Sequence, residues 1–246
     1  MKIITLILIT IFSIATLAAD QPDAETIIRR VDENITPETR IATTSMVVHG
    51  RRGSRTIRSR SWIRGTEQAF TEYLAPPREA GTKMLKLGDE LWIFSPATDR
   101  TIQISGHMLR EPVMGSDLSY EDHMEDPQIS GRYTPVIEGE ETVMDRVCWV
   151  LYLTAKEDDV SYHYIRIWVD QERYLPLKEE WYGRGESLLK TLEVKEVMQV
   201  QERWFPKRMV VKDVLKDGDG TELIIEEIEF DADIPDHKFS RAALRD

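Results

Sequence analysis

One stretch of the chain concentrates the side chains that do chemistry. In residues 114–126, MGSDLSYEDHMED, Asp117, Tyr120, Glu121, Asp122, His123, Glu125 and Asp126 stand close together. Carboxylates beside an imidazole hold divalent metals and carry general acid and base catalysis, and His107, Asp117, Asp122, His123 and Glu125 could supply such a site. The competing reading is structural. Ser116 or Asp117 can cap a short helix, and in a helix through this stretch Met114, Leu118, Glu121 and Asp122 share a face. No nucleotide-binding glycine loop, zinc-protease helix or nucleophile elbow occurs anywhere in the chain. The expectation is therefore a capped turn, with no catalytic residue, no metal and no cofactor.

Two further sets stand out. Arg51, Arg52, Arg55, Arg58, Arg60 and Arg64 form a basic run with no acid between Gly50 and Thr66. On a strand, Arg58, Arg60 and Arg64 alternate onto one face with Trp62, and Arg55 onto the other with Ile57 and Ile63. Such a run either meets an anionic partner, such as lipid headgroups or the acidic face of a transporter, or is the solvent face of a strand. The second set is apolar: Trp62, Phe70, Leu74, Met84, Trp92, Phe94, Met108, Met114 and Leu118, with Tyr73 among them. These residues pack a core, or they line a cavity able to hold lipid chains.

The elements that must position these residues are mostly strands. Ile27, Ile28, Val31 and Ile35 recur at helical spacing over residues 23–35. After Pro37, IATTSMVVH, SRTIRSRSWI, EQAFTEYLAP, TKMLKL, ELWIFSP and RTIQIS read as six strands of an antiparallel meander, with turn chemistry at Gly88-Asp89 and Pro96–Asp99. Residues 106–131 break the alternation. Strand texture then returns in seven runs, from RYTPVIEGEETV to TELIIEEIEF, so twelve or thirteen strands are expected in all. The last residues, IPDHKFSRAALRD, suggest a short docking helix. With no linker and no repeat, residues 20–246 read as one large domain, mainly β: a curved antiparallel sheet or open barrel with helices on one side.

The first 19 residues have one charge, Lys2, an apolar run from Ile3 to Leu17, and the small pair Ala18 and Ala19. This is the pattern of a cleaved signal peptide, too short to span as a helix. Without it the chain carries 31 basic and 44 acidic side chains, a net −13, which argues against nucleic acid as a partner. The single cysteine, Cys148, excludes an intramolecular disulfide and sits in the apolar run RVCWVLYLTA as a small hydrophobe.

The residues Gly115, Ser116, Asp117, Ser119, Tyr120, Glu121 and Asp122 spell GSDxSYED, preceded by LWIFSPATDRTIQIS and followed by CWVLYLTAK and IRIWVDQERYLPLKEEWY. In these the chain resembles the LolA-like outer-membrane lipoprotein-sorting proteins, in the longer branch that carries this signature, over nearly its whole mature length. The resemblance implies a periplasmic protein built as an unclosed half-barrel with a helical lid over its apolar concave side. It also implies binding of lipid or lipoprotein acyl chains, with an inner-membrane RND-type transporter as a possible partner. No residue matches the cavity arginine of the classical carriers outright, although Arg58 and Arg60 lie in a suitable strand. The lid would come from residues 23–36 and 106–130. A different class of reading is a binding or sensor module that acts by protein contact, with its cavity filled by side chains. Cargo and oligomeric state are not legible in the sequence.

Overall fold

The computed structural model describes residues 21–50, 53–125 and 128–246; the expected signal peptide, Arg51, Arg52, Asp126 and Pro127 lie outside them. The chain enters through helix α1 (Ala24–Ile35). Asp23 caps it, its carboxylate accepting the Thr26 N–H at 2.7 Å, and Ile27, Ile28 and Val31 on its apolar stripe are fully buried. Six strands follow: β1 (Thr39–Gly50), β2 (Gly53–Arg64), β3 (Gln68–Ala75), β4 (Lys83–Leu87), β5 (Glu90–Ser95) and β6 (Arg100–Ile104). Two short helices, α2 (Tyr120–Met124) and α3 (Ile129–Arg132), lie in the break. Seven more strands complete the chain: β7 (Tyr133–Val143), β8 (Arg146–Ala155), β9 (Tyr164–Asp170), β10 (Pro176–Tyr182), β11 (Leu188–Val200), β12 (Arg203–Asp213) and β13 (Thr221–Phe230).

All thirteen strands join one antiparallel sheet in the order β6-β5-β4-β3-β2-β1-β13-β12-β11-β10-β9-β8-β7. Each half is a meander of local hairpins, and the pairing of β1 with β13 joins them at the centre. The edge strands β6 and β7 do not pair with each other, so the sheet is an unclosed half-barrel. Residues 105–132 carry the chain between these edges. On β7, Pro135 and a register shift at Ile137/Gly139 blunt the free edge against pairing with other chains.

Side-chain parity decides what each face does. One cross-strand row runs Ile228, Ala42, Ser61, Thr71, Met84, Ile93 on the concave face. The adjacent row, Ile41, Trp62, Phe70, Leu85, Trp92, points to the convex face. That face is covered by residues 231–246, which dock as two 3-10 turns, Asp236–Phe239 and Ala242–Leu244, in place of the expected helix. Ile234, Phe239, Ala243 and Leu244 bury against Phe70 and Leu85 there. In the other half, α1 lays Ile27, Ile28 and Val31 onto Leu151, Leu153, Ile167 and Val169.

Candidate functional site

The cavity originates in a size pattern along three strands. On the concave face β1 presents Ala42 and Thr44, β2 presents Ser59 and Ser61, and β3 presents Ala69 and Thr71. Side chains this small leave unfilled the space that α1 fills over the other half of the sheet. The result is a cavity of ≈ 530 Å³, within the roughly 300–1,000 Å³ usual for small-ligand sites. Met46, Ile57, Met84 and Leu91 wall it on one side, and Leu192, Val194, Phe205 and Met209 on the other.

At one end stands Arg40, in register with Ile63 and Phe230. Its guanidinium lies 5.7 Å from the centre of the Phe205 ring. It has no carboxylate partner among the described residues, and burial alone draws its pKa down to about 10. The cavity therefore holds a positive charge at neutral pH whose hydrogen-bonding capacity is unspent.

The other end is closed by residues 113–125, which contribute Val113, Leu118, Asp122, His123 and Glu125. Polar ties hold this segment at each position of the signature. Gly115 has φ +68°, the left-handed region that favours glycine, and the Arg55 guanidinium donates to the Met114 carbonyl beside it. Asp117, buried, accepts the Thr221 hydroxyl at 2.7 Å and the Asp213 N–H at 3.0 Å, while Lys216 donates to the Ser116 carbonyl at 2.8 Å. Ser119, not Ser116 or Asp117, caps α2. It accepts the Asp122 N–H at 3.3 Å and donates its own N–H to the Asp122 carboxylate at 2.6 Å, a reciprocal capping box. Because α2 begins only at Tyr120, Met114 and Leu118 precede it and the expected single face does not form.

Asp122 also accepts from Lys190 on β11 and from the Tyr162 hydroxyl. Burial works against its ionisation, but the Lys190 ammonium and these hydrogen bonds prevail and hold its pKa below the usual carboxylate value. Lys86 on β4 donates to the Met124 carbonyl at 2.9 Å, so α2 bridges the two halves of the sheet. Asp32 of α1 accepts the Ile129 and Ser130 N–H groups, both at 2.9 Å, joining α1 to α3. Burial raises the pKa of Glu179, which takes the Trp181 N–H at 2.8 Å.

The carboxylates that suggested a metal site are thus committed elsewhere. Asp117 serves Thr221 and Asp213, Asp122 serves Lys190 and Tyr162, and Glu125 serves Arg132 and Ser161, while His107 lies apart in the 3-10 turn Gly106–Arg110. Among the described residues no three His, Cys, Asp or Glu side chains converge.

A family model described as "Uncharacterized protein" matches residues 65–246. A LolA superfamily protein from Nitrosomonas europaea superposes with a TM-score of 0.75 at 24% identity, over 90% of this chain and 99% of that one. The chain belongs to the matched family, and its fold is LolA-like. A DUF1329 family protein from Desulfovibrio piger ATCC 29098 gives 0.81 at 22% identity over 89% and 97%. A domain from Vibrio parahaemolyticus, designated an outer-membrane lipoprotein-sorting protein domain, gives 0.79 at 24% over 91% and 98%. No curated protein matches the sequence.

Within this LolA-like half-barrel, Met84 and Leu118 line the cavity. Met114 packs beside it against Met46, Val48, Ile57 and Tyr73, and Met108 against Met84, Leu91 and Ile104. Trp62, Phe70, Trp92 and Phe94 lie on the opposite face under the C-terminal segment, and Leu74 is on that face too, 39% exposed. Arg58 and Arg60 share the convex parity, so neither is the cavity's arginine. Of the large apolar residues expected there, Met84 and Leu118 are in the lining, whereas Trp62, Phe70, Trp92 and Phe94 pack under the C-terminal segment. Arg40, Ala42, Ser59, Ser61 and Thr71 were legible only as small or charged residues at alternate positions of otherwise ordinary strands.

Proposed function

We propose that the protein is a periplasmic carrier, residues 20–246 acting as one domain, that holds the acyl chain of a lipid or lipoprotein and moves it toward the outer membrane. The observation that carries this reading is an apolar cavity floored by small residues, with a guanidinium at one end that has no ion pair among the described residues. An acyl chain entering it gains roughly 0.8 kcal/mol per methylene removed from water. Arg40 would take the carbonyl or anionic head, and the small floor would take the tail. No covalent step is needed. The designation of the Vibrio parahaemolyticus domain supports the same reading.

Residues 113–125 and α1 would form the lid, and loading requires the ties at Asp122 and Lys86 to open. Release requires a receiving site that binds the chain better, or a partner that opens the lid, and an inner-membrane RND-type transporter is the partner proposed. The apolar residues beside the cavity, Met84, Leu118, Met108 and Met114, are the proposed contacts retained from the sequence. A fluorescent fatty acid should bind the mature chain saturably, Ser61→Trp should abolish binding without loss of fold, and Arg40→Met should weaken it. Absence of saturable binding, or binding indifferent to Ser61→Trp, would count against a carrier.

A further inference from the structure

The charge of this acidic chain is unevenly divided. The described residues within 36–110, which carry β1 to β6, hold ten Lys and Arg against seven Asp and Glu, a net +3, and residues 231–246 over their convex face hold three against four. Residues 133–230, which form β7 to β13, hold thirteen against twenty-two, a net −9. The strand order places these two groups on opposite sides of the β1–β13 junction, so the half-barrel is an electrostatic dipole.

Ion pairs run through both sides. On the acidic side Arg146 pairs with Asp170 at 2.8 Å and with Glu172 at 2.6 Å, and Arg166 pairs with Glu138 at 2.8 Å. Arg208 pairs there with Glu196 at 2.9 Å and with Glu222 at 3.0 Å. On the basic side Arg58 reaches across to Glu226 of β13 at 2.7 Å, Arg64 pairs with Asp236 at 2.8 Å, and Arg245 pairs with Asp99 at 3.4 Å. Arg60, and Arg241 on the covering C-terminal segment, are exposed and have no ion pair among the described residues. Lys238 sits 3.8 Å from the centre of the Trp62 ring, Arg60 is 5.3 Å from the same ring, and Arg241 is 3.9 Å from that of Trp92. On β3, Glu72 is the register partner of Arg60, and the exposed Leu74 precedes Ala75, the register partner of Arg58.

We propose that this convex surface is where the protein meets an anionic phospholipid bilayer. The exposed guanidinium groups of Arg60 and Arg241, on the same face as the exposed Leu74, suit the headgroup boundary, where charge attracts and an apolar side chain can insert. A chain of net charge −12 is repelled by such a surface in other orientations, so the dipole also selects which side arrives. A second copy presenting its acidic side is the alternative outcome, and sedimentation tests it. The inference goes beyond the carrier reading and stands without it.

The test is flotation of the mature chain with vesicles at low ionic strength. Binding to vesicles containing phosphatidylglycerol is expected, with none to pure phosphatidylcholine, and it should fall steeply as salt shortens the Debye length. Arg60→Glu/Arg241→Glu should weaken binding on the order of fivefold per charge, with circular dichroism unchanged, whereas Lys195→Glu on the acidic side should not. Ser61→Trp, which fills the cavity, should bind vesicles like the parent, which separates surface docking from lipid uptake. Absence of binding to phosphatidylglycerol, or binding indifferent to the double variant, would overturn the proposal. So would a concentration-dependent dimer in sedimentation that the double variant abolishes and vesicles do not compete with.

Discussion

At the residue scale, the acids of the signature act through their partners. Asp122 and Lys190 are nearly buried, with 7% and 10% of their side chains exposed. Removing one member of such a pair strands the other, so Asp122→Asn should lower unfolding free energy at neutral pH by about 3 kcal/mol in urea titration. Because the folded pKa of Asp122 is lowered, its contribution is full above the unfolded carboxylate range and is lost as pH falls through the folded value, so parent and variant should converge in acid. Glu179 behaves oppositely. Its folded pKa is raised by burial, so its ionisation costs stability as pH rises through that value. Glu179→Gln, which keeps an acceptor for Trp181, should raise Tm at neutral and alkaline pH and change little below about pH 4. The signature was legible as a capped turn, but not its cap residue: Ser116, Asp117 and Ser119 all offer a capping oxygen, and only the path of the chain past Gly115 selects Ser119.

At the element scale, α1, the strand series and the break between β6 and β7 were all readable, since period 3.6 and period 2 are written locally. The role of the C-terminal segment was not. Its Phe239 and Leu244 look like any short apolar pattern, and only the pairing of β13 with β1 brings residues 231–246 over β2 to β5. That covering explains why Trp62, Phe70, Trp92 and Phe94 are core residues. Leu244 is fully buried there, so Leu244→Ala should cost about 3 kcal/mol in the same urea titration. Asp32 ties α1 to α3 from the opposite side. Asp32→Ala leaves two N–H groups of α3 without their acceptor and should speed amide exchange at Ile129 and Ser130 while the central strands stay protected.

At the scale of the whole molecule, an unclosed sheet needs something to fill its concave side. Over β7 to β9 that is α1, and over β1 to β3 the small residues Ala42, Ser59, Ser61 and Thr71 leave room for a guest. The half-barrel followed from the sequence because strand count and turn spacing are local properties. The cavity did not, because it depends on which parity faces inward. The central claim is that this space holds an acyl chain. The most direct measurement is native mass spectrometry of the mature chain purified from the periplasm, with lipid extraction from the same sample. The account predicts a mass beginning at Asp20 with a stoichiometric acyl-bearing molecule, retained by Lys195→Glu and missing from folded Ser61→Trp. A lipid-free parent that also fails to take up added fatty acid would contradict it.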